Sequence, residues 1–141
     1  METTPDNTQA AREGVTPPTM AISREMVALM KEFLGRGPTH ARTYIRDNLV
    51  VCVMHDTMTK AEHSLADTEK HSVVREIRRL FQETLRERAT EIVERNLGRK
   101  VMSFMSDHDI STDHSAEIFV LEPEGQQDVS VPAEAHSVDG A

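Results

Sequence analysis

The chain lacks most of the residues on which small-protein chemistry is commonly built. Among 141 residues there is one cysteine, no tryptophan and a single tyrosine. One cysteine excludes an intrachain disulfide and a cysteine-rich zinc site. Cys52 also lies inside the most apolar run, LVVCVM, where a thiol behaves as a small buried hydrophobe. Tyr44 and four phenylalanines are the whole aromatic complement. All are expected in the core, which leaves little for stacking nucleic-acid bases. No apolar run approaches the roughly 20 residues that span a bilayer, and direct membrane insertion is not expected. The N-terminus lacks the charged-then-apolar pattern of a signal peptide, so the expected location is cytoplasmic, with peripheral attachment to a membrane complex left open. Walker and GxGxxG loops are absent, as is a serine elbow, and His40, His55, His63 and His71 share no pattern with a nucleophile. Catalysis is therefore not expected, and no cofactor is implied.

Large apolar residues are scarce at both ends. Residues 1–18 and 123–141 are rich in Thr, Pro, Gly, Gln and acids, and are expected to form disordered tails around a folded unit at 19–122. The formal net charge of −8 is concentrated in these tails. The last 19 residues carry four acids and no Lys or Arg, whereas 19–122 holds 15 basic and 17 acidic residues. Acidic tails favour solubility and oppose loose contact with nucleic acid or anionic lipid.

Within the core, Ile22, Met26, Leu29, Met30 and Phe33 recur at helical spacing, with Thr19 or Ser23 available as a cap. Gly35-Arg36-Gly37-Pro38-Thr39 ends that helix, because glycine accepts a positive φ and proline forbids continuation. A β-hairpin follows, 42–46 and 49–55, turning at Asp47-Asn48, with its second strand central and buried on much of both faces; the alternative is one long strand with a bulge at Asp47. Thr59-Lys60-Ala61-Glu62 is a capping box that opens a short helix. A long helix over about 71–97 presents Val73, Val74, Ile77, Leu80, Phe81, Leu85, Ala89, Ile92 and Val93. It would overhang so small a domain, and a homodimer through this helix is the expected way to cover it. After Gly98 come a strand at 100–105, a polar loop SDHDISTDHS and a last strand at 116–121. The order α-β-β-α(α)-β-β predicts an α+β two-layer sandwich, an antiparallel sheet of about four strands with helices on one face.

These signatures in this order, helix-GRGPT, LVVCVM, TKAE, VVREIRRLF, LGRKVMSFMSDHD and EIFVLE, resemble the MpsC-like family over residues 20–122. The resemblance implies association with a membrane ion-transport or inorganic-carbon-uptake system, and carries over no catalytic residue.

Two clusters invite a site. Asp107, His108, Asp109, Asp113 and His114 offer carboxylates and imidazoles to a cation, or simply shape a hairpin, with Asp107 accepting backbone N–H groups where the strand ends. Arg75, Arg78 and Arg79 stand near the positive end of the long helix, which cations do not favour. They point to an anion or acidic partner joined by Arg36, Thr39 or Arg99, unless i,i+4 pairs such as Arg79–Glu83 and Glu91–Arg95 absorb them. Arg36 stands out, since the turn explains both glycines and the proline but gives this side chain no folding role. The two glycine N–H groups offer a small anion nest as another reading. Three functions follow: a non-enzymatic accessory or regulatory protein serving a membrane partner, a small-ligand or anion sensor, and an RNA-binding module, nucleic acid being the partner least expected.

Overall fold

The computed structural model describes residues 15–124. The expected tails at 1–18 and 123–141 lie outside the described residues except for 15–18 and 123–124. Helix α1 (Pro18–Leu34) buries Ile22, Met26, Leu29 and Met30. Neither Thr19 nor Ser23 caps it; Pro17 is the N-cap, Pro18 starts the helix, and the Ser23 hydroxyl instead bonds Thr43 at 2.8 Å. A proline at the first helical position loses no hydrogen bond and has the right φ, so it outcompetes a side-chain cap. Gly35 closes the helix at φ 82°, its N–H donating to Lys31 O at 2.9 Å. That N–H is therefore not available to an anion nest.

Strands β1 (His40–Arg46) and β2 (Leu49–His55) form the expected hairpin, with Asp47 at φ 53° in the turn. Helix α2 (Lys60–Asp67) opens on a complete Thr59–Glu62 capping box, and α3 (His71–Leu97) ends at Gly98 with φ 65°. Strands β3 (Val101–Asp109) and β4 (His114–Leu121) complete an antiparallel sheet in the order β1-β2-β4-β3. The polar stretch SDHD is thus strand, not loop. Asp107, His108 and Asp109 pair with Ala116, Ser115 and His114, and a ladder of backbone bonds overrides poor β-propensity.

The architecture is the predicted α+β two-layer sandwich. Helix α1 packs on β1, α3 on β3, and the two helices on each other. Between the layers lie Val50, Cys52, Met54, Phe104, Phe119 and Leu121 from the sheet and Leu85, Ala89, Ile92 and Val93 from α3. Alternation along each strand leaves the opposite face of the sheet uncovered. On the central strand β2, Val51 and Val53 are only half-buried, which corrects the expectation of burial on both faces. Tyr44, expected in the core, projects from this open face at 51% exposure. On α3, Val73 and Leu80 remain exposed, because the buried stripe runs through Val74, Arg78, Leu85 and Ala89 instead.

Candidate functional site

The densest polar arrangement surrounds the four residues that join β2 to α2, Asp56-Thr57-Met58-Thr59. Every layer of the fold reaches this link. From the turn after α1, Arg36 forms a fork on Asp56, with Nη1 3.2 Å from Oδ1 and Nη2 3.2 Å from Oδ2, and donates to Met58 O at 2.7 Å. The expectation that Arg36 has no folding role is therefore overturned: it ties the end of α1 to the start of α2. Its guanidinium holds the Asp56 carboxyl below the ordinary carboxylate range.

From α3, Arg78 grips Glu62 with both arms of its fork, Nε to Oε2 at 2.8 Å and Nη2 to Oε1 at 2.7 Å, and donates to Thr57 O at 2.9 Å. Both side chains are almost fully buried, at 8% and 4% exposure. Glu62 simultaneously accepts the Thr59 N–H at 2.9 Å, so the capping-box residue anchors two helices. From the β3–β4 turn, buried Asp113 accepts the Thr57 hydroxyl at 3.1 Å and the Met58 N–H at 3.0 Å, and its Oδ1 lies 2.9 Å from His108 Nε2. Burial pushes its carboxyl up, but the bonds from His108, Met58 and Thr57 together outweigh that and hold it below its ordinary value.

Behind this link, Arg78, His108, Ser115 and Glu117 line a cavity of about 20 Å³, room for one water molecule. Glu117 faces the helices from the middle of β4. Burial pushes its carboxyl up to about 7, against the opposing pull of Ser106 and Arg78. Burial likewise pushes the Cys52 thiol up to about 11, as an inert core residue requires.

The predicted residues are not gathered into one site. Arg99 lies at the other end of β2 from Arg36 and clamps the hairpin turn, donating to Asp47 O, Asn48 Oδ1 and Glu122 O at 2.7–3.1 Å. Arg79 is exposed and paired with Glu76 at 2.6 Å and Glu83 at 2.9 Å. The expected Glu91–Arg95 pair gives way to Arg95–Glu25 at 2.9 Å, which links α3 to α1. Arg75 lines a shallow depression with His71, Asp107 and Asp109. Thr39 is exposed, its hydroxyl 3.1 Å from His40 Nδ1.

The strand period separates the proposed metal ligands. His108 points under the helices, whereas Asp107, Asp109 and His114 occupy the open face. Asp107 accepts only its neighbour's N–H, from His108 at 2.8 Å, and it is Asp109 that shapes the turn by accepting Ser111 N at 3.0 Å. A different trio, Asp56, His63 and Asp113, brings its ligand atoms within 4.8 Å of one another. Its carboxylates are already engaged by Arg36 and by three donors on Asp113, so a cation would have to displace a guanidinium.

The arrangement thus positions segments rather than reacting groups. Asp113→Asn keeps a residue type that tolerates the local φ of 55° while removing the charge. It is expected to lower stability by about 1–2 kcal/mol in urea unfolding at pH 7. An unchanged midpoint would show that the link does not depend on this carboxylate.

Sequence reasoning misses the part that Glu62, Glu117 and Asp113 play here. Glu62 is visible as a helix cap, and Glu117 as an acid at a core-facing position of an apolar strand. Asp113 is visible only as one acid of a polar turn, with no signal that it reaches the link.

No curated protein and no solved structure matches the chain. Residues 19–123, essentially the whole unit just described, match the family profile of the Na+-translocating membrane potential-generating system (MpsC). The chain belongs to the MpsC family.

Proposed function

We propose that this protein is a non-enzymatic accessory or regulatory component of a membrane ion-transport system, acting from the aqueous side through contact with a membrane partner. The family match over residues 19–123 carries the reading. Two features support it. No helix among the described residues is long and apolar enough to cross a membrane. Two of the guanidiniums an external ligand would recruit are engaged within the fold, Arg78 by Glu62 and Arg36 by Asp56. A sensor reading would need Arg36, Arg78 and Arg99 to converge on one ligand, and they hold three separate intramolecular partners.

The test is the membrane potential of cells lacking the protein, followed with a potential-sensitive dye in sodium medium. A diminished potential is expected, restored equally by the full chain and by its Cys52→Ala variant. An unchanged potential in the deletion strain would sink the reading.

A further inference from the structure

The uncovered face of the sheet has an ordered composition that the fold itself does not use. Four rows of cross-strand neighbours, read from β1 through β2 and β4 to β3, make it up. They are Arg46–Leu49–Val120–Ser103, Tyr44–Val51–Ile118–Met105, Arg42–Val53–Ala116–Asp107 and His40–His55–His114–Asp109. None of these sixteen residues is buried. The two central strands supply a contiguous apolar surface of Leu49, Val51, Val53, Ala116, Ile118 and Val120. One flank, β1, carries Arg42 and Arg46. The opposite flank, β3, carries Asp107 and Asp109. Tyr44, Leu49 and Met105 are 51%, 42% and 49% exposed. Large apolar side chains at that exposure, adjoining across a sheet, mark a surface that meets another surface.

We propose that this face is the interface between two copies of the chain, stacked sheet on sheet about a two-fold axis parallel to the strands. The charge pattern selects both the occupant and the axis. Such an axis carries the β1 flank of one copy over the β3 flank of the other while keeping each row in place. Arg42 then meets the partner's Asp107, Tyr44 meets the partner's Met105, and His40 meets the partner's Asp109. Each contact occurs twice, as an isologous interface requires. An axis across the strands would instead set the arginine flank on itself and the aspartates on themselves, which like-charge repulsion opposes. Aligned packing at about 10 Å lets the central Val and Ile side chains interdigitate.

The area is sufficient. Seven-residue strands set about 4.8 Å apart give a face roughly 20 Å by 23 Å, so two copies bury on the order of 1,000 Å², the size a biological interface reaches. The other conceivable covers fit less well. The C-terminal residues 123–141 carry acids and no Lys or Arg, so they complement the Arg42–Arg46 flank but not the Asp107–Asp109 flank, whereas a second copy complements both. The exposed Val73 and Leu80 of α3, where the long helix alone would place a dimer, stand among Arg75, Glu76, Arg79 and Glu83 and form a far narrower stripe.

This inference does not depend on the membrane-system reading, and its test is made on the purified full chain. Molar mass by light scattering at micromolar concentration is expected to be that of a dimer. Arg42→Asp and Asp107→Arg, both at exposed positions away from the core, are each expected to weaken dimerisation at least tenfold with an unchanged circular dichroism spectrum. The double exchange restores complementarity between copies and is expected to restore the dimer. Leu80→Glu on α3 is expected to leave the mass unaltered. A monomeric parent chain, a double exchange no better than the singles, or dissociation by Leu80→Glu alone would each overturn the proposal.

Discussion

Replacing Arg78 by methionine is expected to lower the unfolding free energy by about 3–5 kcal/mol, the loss typical when one partner of a buried ion pair is removed. Methionine preserves much of the aliphatic stem, so the effect isolates the guanidinium. What remains is a Glu62 carboxylate that is 4% exposed and has lost both arms of a charged fork. The Thr57 carbonyl loses its donor as well. The penalty thus arises less from the attraction that is lost than from a charge stranded away from water. Arg78→Met combined with Glu62→Gln neutralises that charge while keeping a residue that can serve the capping box. The double variant is expected to recover a large part of the loss, giving a strongly non-additive cycle. Urea unfolding followed by circular dichroism at pH 7 measures all three variants. A loss below about 1 kcal/mol in Arg78→Met, or a double variant no more stable than the single, would refute this account of the link.

The second large effect concerns pH. Glu117 lies at the centre of β4 beneath the helices, and its carboxyl is pushed by burial from an ordinary 4.5 up to about 7. Between those values the folded chain keeps a proton that the unfolded chain releases. The unfolded state therefore binds fewer protons, and stability falls as pH rises through the window, levelling off above about 7. The decline attributable to this one group is about 3 kcal/mol, since each pH unit between the two values contributes about 1.4 kcal/mol. Glu117→Gln carries no such proton. It is expected to match the parent chain near pH 5 and to exceed it by about 2–3 kcal/mol at pH 8. Groups common to both proteins, Asp113 among them, cancel in the comparison. Parallel stability curves for the two proteins from pH 5 to 8 would show that Glu117 titrates normally.

Both effects arise from residues whose partners are distant in the chain, which is why they are poorly legible in it. The helix stripe Ile22–Met30, the Asp47-Asn48 turn, the Thr59–Glu62 cap and the stops at Gly35 and Gly98 can all be read locally, because each rests on contacts within about four residues. Arg78 cannot. Its spacing of four from Val74 puts it on the buried face of α3, but nothing local indicates that a buried carboxylate waits 16 residues upstream. Arg36 misleads for the same reason: its partners, Asp56 and Met58, lie 20 and 22 residues away. The polar SDHD segment reads as loop because propensity is a local quantity, whereas strand β3 is held there by its ladder with β4.

The helices, the hairpin, their order and the two-layer α+β class are legible in the chain, since periodicity, caps and turn residues act over short range, and the motif order carries the family. The roles of the polar residues come from the three-dimensional packing. It placed Arg36 and Arg78 on the link between β2 and α2, and set His108 apart from Asp107 and Asp109 by the two-residue period of a strand. It also showed which face of the sheet lacks a covering layer. The apolar runs LVVCVM and IFVL announced strands with hydrophobic side chains on both faces, but their one-dimensional pattern does not say that the helices cover only one. That choice is made by packing, because α1 and α3 cover the same side and leave an apolar surface, basic on one flank and acidic on the other, turned outward.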